Sequence, residues 1–258
     1  MKTRISDKFR LLKKNNKKAF IPYIMAGDPS LEKTKELFLM LEQCGADIIE
    51  LGVPFSDPLA DGPTIQRAAE RALKNNVTLK KVVSFVKDIR NVSLTPVILM
   101  TYFNPIYKYG ISEFISDAAT AGVDGIIIPD LPPEEADEII KLSRKTNIDT
   151  IFLLAPTSTE NRIKIVASAS TGFIYYVSIT GITGSNILFD GSMENQINAI
   201  RKYTDTPIAV GFGVSGPEDA REVAKMADGV IIGSAIVKKI HEEPTTAKEF
   251  IKKLREAI

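Results

Sequence analysis

Short apolar runs and amphipathic stretches alternate from one end of this 258-residue chain to the other. Eight runs, rich in Val, Ile, Leu and Phe, lie at 19–25, 47–51, 96–100, 125–128, 149–154, 173–177, 207–211 and 229–232. Such runs are typical of parallel strands buried on both faces. Helical spacing follows them at 30–45, 79–90, 111–121, 133–145, 160–170, 193–203, 216–226 and 246–257. Eight β–α units predict an α/β fold, a closed (β/α)8 TIM barrel, rather than an open doubly wound sheet.

Two further helical patterns lie outside the eight units. The stretch 5–14 is amphipathic and precedes the first strand, so we expect it to plug the bottom of the barrel. The stretch 64–73 predicts an extra helix after the second strand. No linker, low-complexity tract or charge block interrupts the pattern, so residues 1–258 are predicted to form a single domain.

The composition excludes several classes of function. Lys and Arg total 33 and Asp and Glu total 32, so no net charge attracts nucleic acid or anionic lipid. The one cysteine, Cys44, rules out an internal disulfide, and the one histidine, His241, rules out histidine-based triads and histidine-rich zinc sites. The acids Asp57, Asp61 and Asp130 are divided between two loops, so no metal site is predicted. No run is long enough to span a bilayer, and we expect a cytoplasmic protein.

Two carboxylates lie where an active site of a barrel is expected, at and after the end of a strand. Glu50 ends the second apolar run, and Asp61 follows in the proline- and glycine-rich loop at 52–63. Burial in an apolar rim raises the pKa of a carboxyl, so Glu50 is predicted to donate and accept protons near neutral pH. We expect Asp61, in a more polar loop, to remain ionised and accept hydrogen bonds. A purely structural buried acid is the alternative interpretation of Glu50.

Glycines after the last strands predict a phosphate site. Gly211 and Gly213 follow the seventh strand, and Gly233 with Ser234 follows the eighth, where a short helix at 234–237 would direct its N-terminus at an anion. No predicted strand contains a lysine, which excludes a Schiff-base mechanism, and no Gly-x-Gly-x-x-Gly motif opens the first helix. The pattern therefore favours cofactor-free proton transfer on a phosphorylated, largely apolar substrate. Alternation alone leaves open whether Tyr175 or Tyr176 enters the barrel.

Several segments together resemble the tryptophan synthase α-subunit family. The most specific is ELGVPFSDPLADGPTIQ at 50–66. Supporting segments are PYIMAGDP at 22–29, MTYFNP at 100–105, PDLP at 129–132, LAPT at 154–157, YYVSITGITG at 175–184 and GFG at 211–213. The resemblance implies a lyase that cleaves indole-3-glycerol phosphate to indole and glyceraldehyde 3-phosphate.

The resemblance also implies roles for individual residues. Glu50 would be the general acid-base, Asp61 would accept the indole N–H, and Tyr175 would enter the cavity beside Glu50. Phe20, Ile65 and Thr183 would contact the substrate, and Gly184, Gly213, Gly233 and Ser234 would hold its phosphate. The family chemistry needs no cofactor in this chain.

A partner is implied as well. The α subunits of this family pair with a pyridoxal-phosphate-dependent β subunit in an α2β2 heterotetramer and pass indole to it through a tunnel. The expected interface contains Pro54, Asp57, Asn104 and Pro105. Two alternatives remain open: a stand-alone lyase that releases free indole, and a non-catalytic regulatory subunit that only binds phosphate.

Overall fold

Parallel strands form the centre of the molecule, and helices cover them. The computed structural model describes residues 2–178, 191–211 and 213–258. Its strands are β1 (Ala19–Met25), β2 (Ile49–Gly52), β3 (Val97–Met100), β4 (Gly125–Ile127), β5 (Asp149–Ile151), β6 (Leu153–Leu154), β7 (Ile174–Val177), β8 (Ile208–Gly211) and β9 (Gly229–Ile232). They pair in the order β5-β4-β3-β2-β1-β9-β8-β7-β6, and every pair is parallel. The central strand β1 is buried along its whole length, as expected for a sheet covered on both faces.

The barrel closes through one interrupted strand. The predicted strand at 149–154 is divided at Phe152 into β5, which pairs with β4, and β6, which pairs with β7. The Phe152 carbonyl accepts a hydrogen bond from the Tyr175 N–H at 3.1 Å, so pairing continues across the break. The predicted TIM barrel is thus confirmed, with one correction: the fifth of its eight strands is in two parts, because each part bonds a different neighbour.

Helices alternate with the strands. In the described part of the chain they are α1 (Arg4–Lys14), α2 (Leu31–Gln43), α3 (Pro63–Leu73), α4 (Leu79–Ile89), α5 (Phe103–Tyr109), α6 (Ile111–Ala121), α7 (Asp137–Thr146), α8 (Glu160–Ala169), α9 (Ser192–Arg201), α10 (Pro217–Met226), α11 (Ser234–Glu242) and α12 (Pro244–Ala257). A 3-10 turn, Pro133–Glu135, precedes α7, so the helix predicted at 133–145 begins later than expected. None of the described helices combines the length and apolar composition that crossing a bilayer requires.

One helix was not predicted from the sequence. The helix α5 follows β3 directly and contains Pro105 at its third residue. Proline is compatible with the first turn of a helix because the N–H it lacks has no partner within the helix there. The extra helices predicted at 5–14 and 64–73 are confirmed as α1 and α3.

The helix α1 packs beneath the barrel, as predicted. Thr3 caps it, and Ile5, Phe9 and Leu12 form its buried face. The Phe9 ring lies 5.7 Å from that of Phe173, just before β7. The Thr3 hydroxyl donates to Asp149 at the start of β5, at 2.6 Å. The amino ends of the strands are therefore closed by the apolar face of an amphipathic helix, which leaves the carboxyl ends for a site.

Asp124, directly before β4, joins three elements at this closed end. Its carboxylate accepts hydrogen bonds from Arg4 of α1 at 2.8 Å, from Arg90 after α4 at 2.6 Å, and from the Val97 N–H of β3 at 2.8 Å. Its side chain is 6% exposed and that of Arg90 is 12% exposed. Charge-assisted bonds in so little water are strong, and removal of one partner leaves the other unpaired.

We expect Asp124→Ala to lower the free energy of unfolding by about 3–5 kcal/mol, because Arg90 would stay buried without its counterion. Urea titration followed by circular dichroism measures this change. The control is Asp7→Ala, which removes the exposed pair between Asp7 and Arg10, 2.7 Å apart; there we expect less than about 1 kcal/mol. If both variants lost the same free energy of unfolding, a structural role for the Asp124 cluster would be contradicted.

Candidate active site

A cavity opens at the carboxyl ends of the strands, opposite α1. Residues from β1, β2, β3, β7, β9, the loop at 53–62 and the starts of α3 and α11 form its wall. They are Tyr23, Glu50, Asp61, Gly62, Ile65, Met100, Tyr175, Ile231, Gly233 and Ser234. Six residues predicted for the site are therefore brought together from positions far apart in the sequence: Glu50, Asp61, Ile65, Tyr175, Gly233 and Ser234.

The strand register determines which side chains face the cavity. Tyr23 pairs with Glu50, and both line it. Tyr175 of β7 pairs with Ala209 of β8, and Ala209 pairs with Gly229 of β9. Gly229 is two residues before Ile231, which lines the cavity. Alternate residues of a strand point to the same face. Tyr175 thus faces the cavity, and Tyr176 belongs to the opposite face, so the register decides a question that alternation alone left open.

The same register corrects the prediction for Phe20. Phe20 pairs with Val230, which pairs with Val210, and Val210 pairs with Tyr176. These residues share the face that packs beneath the helices, and Phe20 is fully buried there. Tyr23, three residues further along β1, lines the cavity in its place. The sequence shows that Phe20 and Tyr23 are an odd number of residues apart, but it does not show which of them faces inward.

Glu50 is the most deeply buried acid of the cavity. The residue is 1% exposed, and its Oε2 atom has no hydrogen-bond partner among the described residues. Loss of water, and then the charge of Asp61, raises the pKa of Glu50 to about 8. A carboxyl with this pKa exchanges a proton readily near neutral pH, as a general acid-base requires.

Asp61 lies on the loop between β2 and α3. The Gln66 side-chain amide of α3 donates to the Asp61 carbonyl at 2.7 Å. Burial raises the pKa of Asp61 to about 6, and hydrogen bonding from the Tyr102 hydroxyl opposes that rise. At neutral pH Asp61 is therefore mainly a charged acceptor while Glu50 is mainly protonated. Two carboxyls in unequal surroundings can divide acceptor and proton-transfer roles between them.

Two tyrosines reach across glycines into the cavity. A Cβ atom at Gly52 would lie 1.9 Å from the Tyr23 hydroxyl, and one at Gly211 would lie 2.3 Å from the Tyr175 hydroxyl. Only a residue without a side chain leaves room for each phenol at these strand positions. Burial, followed by the nearby carboxyls, raises the pKa of both phenols well above its ordinary value. Both therefore remain protonated hydrogen-bond donors.

Two of the predicted phosphate residues, Gly233 and Ser234, line the cavity. Ser234 is the first residue of α11, and Gly233 precedes it, so the N-terminus of this helix faces the cavity. Such an end attracts anions through its free N–H groups. Gly213 follows β8 with a φ of 78°. The predictions for Thr183 and Gly184 lie outside the described residues.

The residues predicted for a partner interface lie near the same rim. Pro54, Asn104 and Pro105 line a surface groove between the loop at 53–62 and α5. Asp57 is exposed on that loop, and Leu59 nearby is 88% exposed. Within the ranges that the structure describes, no three His, Cys, Asp or Glu side chains are close enough to hold a metal ion.

The raised pKa of Glu50 predicts a pH-dependent cost to stability. The unfolded carboxyl ionises near its ordinary pKa of 4.5, whereas the folded one keeps its proton up to about pH 8. Wild-type stability therefore falls as pH rises between these values, and a glutamine removes the loss. We expect Glu50→Gln to gain stability over wild type from pH 5 to pH 8, reaching on the order of 3–5 kcal/mol and then levelling off.

Urea unfolding across this pH range measures the difference. The control is Glu256→Gln, the same substitution at an exposed position of α12. A Glu50→Gln advantage that does not change between pH 5 and pH 8 would show that Glu50 ionises normally in the fold.

Comparison with known proteins agrees with this geometry over almost the whole chain. The family model described as "Tryptophan synthase alpha chain" matches residues 9–258. The tryptophan synthase alpha chain of Geotalea uraniireducens (strain Rf4) is 51% identical over 240 residues, which are 93% of this chain and 90% of that protein.

Solved structures give the same result. The crystal structure of tryptophan synthase subunit alpha from Legionella pneumophila str. Paris superposes with a TM-score of 0.92 at 39% identity, covering 100% of this chain and 99% of that one. For a structure of Mycobacterium tuberculosis tryptophan synthase the TM-score is 0.93 at 36% identity, with 100% and 99% covered. By family model, sequence identity and fold together, the chain belongs to the tryptophan synthase alpha chain family.

Proposed function

We propose that this chain is the lyase subunit of a tryptophan synthase and cleaves indole-3-glycerol phosphate to indole and glyceraldehyde 3-phosphate. The observation that carries the proposal is Glu50, a buried carboxyl with a pKa of about 8 at the mouth of the barrel. A charged acceptor, Asp61, and the N-terminus of α11 lie around the same cavity. This combination suits a substrate with an apolar ring, one N–H donor and a phosphate.

In the proposed reaction the bond between indole C3 and the glycerol phosphate chain breaks. Protonated Glu50 donates to indole C3, and the carboxylate that results takes the proton of the side-chain hydroxyl as the carbonyl forms, so the enzyme ends with its proton restored. Asp61 accepts the indole N–H and stabilises the positive charge that protonation of C3 places on the ring. Met100, Ile65 and Ile231 provide the apolar wall for the indole.

The phosphate is assigned to Gly233, Ser234 and Gly213, with Gly184 expected from the family pattern. Gly233 brings backbone close to the anion, and the start of α11 supplies N–H groups and the positive end of the helix dipole. Holding the phosphate at one side of the cavity places the scissile carbon between it and Glu50. Thr183 remains a proposed substrate contact.

The proposed chemistry uses side chains of this chain and no cofactor of its own. Pyridoxal phosphate would belong to a β subunit, which we propose as the partner in an α2β2 heterotetramer. The groove lined by Pro54, Asn104 and Pro105, with Asp57 beside it, is the proposed contact. Its position next to the loop that carries Asp61 supports coupling between partner binding and the site.

Glu50→Gln tests the catalytic role directly. The amide keeps the shape of the carboxyl and loses proton transfer, so we expect kcat for indole release to fall by at least about 100-fold while binding of indole-3-glycerol phosphate changes little. Indole release is followed by absorbance, and binding by calorimetry with the inactive variant. Turnover near the wild-type rate would remove Glu50 from the mechanism.

The proposed partnership predicts that a cognate β subunit raises the rate of indole release by the wild-type chain. Partner binding at the groove would order the adjacent loop and complete the site. The measurement compares indole release with and without the β subunit, with Asn104→Ala as the variant that weakens the contact. Rapid release that is independent of the β subunit would favour the stand-alone lyase. No release under either condition, with ligand still bound, would favour the regulatory subunit.

A further inference from the structure

Tyr102 connects two elements of the site. It follows β3 and occupies the N-cap of α5, and it is only 4% exposed. Its ring lies 5.3 Å from that of Phe55 on the loop at 53–62. Its hydroxyl oxygen accepts a hydrogen bond from the Ala60 N–H at 3.0 Å. The phenol therefore holds the loop through both its ring and its oxygen.

The same hydroxyl acts on the neighbouring carboxylate. Because the Tyr102 oxygen accepts from Ala60, its single O–H is available to donate, and hydrogen bonding from it lowers the pKa of Asp61 against the effect of burial. Burial and the charge of Asp61 raise the pKa of Tyr102, so the donor proton stays in place. A hydrogen bond to the ionised form of a carboxyl favours that form.

Two further hydrogen bonds within the described residues join positions 54–61 to other elements. The Ala60 N–H donates to the Tyr102 hydroxyl oxygen, and the Gln66 amide donates to the Asp61 carbonyl. Gln66 fixes the backbone of Asp61 but does not bond its carboxylate. Tyr102 therefore anchors the loop one residue before Asp61.

We propose that Tyr102 is a positioning residue that anchors the loop at Ala60 and so directs the Asp61 carboxylate into the cavity to accept the N–H of a heteroaromatic substrate. This inference rests on the proposed function, in which Asp61 is the acceptor. Within the ranges that the structure describes, the other titratable groups that face Asp61 are Glu50 from β2, Tyr23 from β1 and Tyr175 from β7. Both phenols are protonated donors, and Glu50 is mainly neutral below about pH 8. All three line the cavity, so replacing any of them would also alter its wall. Replacing Tyr102 changes the surroundings of Asp61 and leaves these wall residues in place.

The substitution Tyr102→Phe keeps the ring against Phe55 and deletes only the hydroxyl. Without its donor the Asp61 carboxyl holds its proton to higher pH, so the acidic limb of the kcat/KM profile moves upward. We expect kcat/KM to fall roughly tenfold at pH 6 and less than about threefold at pH 8. In an Asp61→Asn background the same change should have almost no further effect, because the residue through which Tyr102 acts is gone.

The control is Tyr203→Phe, which removes a hydrogen bond of 2.7 Å from a tyrosine to Glu160 on the outer surface. It should leave the pH profile unchanged. The proposal would be overturned if Tyr102→Phe lowered kcat/KM by the same factor at every pH and did so again in the Asp61→Asn background. Tyr102 would then only support the fold.

A second measurement does not depend on turnover. Carbon-13 NMR titration of the aspartate carboxyls, with Asp61→Asn to assign the Asp61 signal, should show a higher pKa for Asp61 in Tyr102→Phe than in wild type. An unchanged pKa would overturn the proposal even in an active enzyme. If wild type releases no indole, the proposed function fails, and the titration still decides whether Tyr102 acts on Asp61.

Discussion

The site depends on one physical constraint: a carboxyl is held out of water within the short buried strand β2. Glu50 is almost completely buried, and one of its oxygens has no partner among the described residues. Burial of an unpaired charge is so unfavourable that the group keeps its proton instead. The same desolvation therefore costs stability above the ordinary pKa of a glutamate and gives a carboxyl that exchanges protons near neutral pH.

The rest of the barrel makes that burial possible. At the amino ends of the strands, α1 and the Asp124 cluster close the fold, so the cavity opens in one direction only. At the carboxyl ends, Gly52 and Gly211 leave room for the phenols of Tyr23 and Tyr175 beside Glu50. The cost of one buried acid is offset by a large core, so the fold can keep such a group at its site.

Much of this could be predicted from the chain because the relevant signals are local. The alternation of apolar runs with helical patterns predicted the barrel, and the amphipathic stretch before the first strand predicted α1. Glu50 was found because a carboxyl at the end of an apolar run is unusual. The helix α5 and the break at Phe152 were missed, since the first is only seven residues long and the second depends on pairing with both β4 and β7.

The sequence by itself determined the repeating architecture, the two acids, the glycines of the phosphate side and the family resemblance. Only the tertiary structure decided that Tyr23 rather than Phe20 faces the cavity, and that Tyr102 holds the loop before Asp61. The reason is physical. Periodicity in the sequence predicts which residues share a face of a strand, but strand register determines which face points inward. The hydrogen bond from Ala60 to Tyr102 joins residues 42 positions apart, so no local pattern predicts it. Such contacts exist only once the barrel has closed.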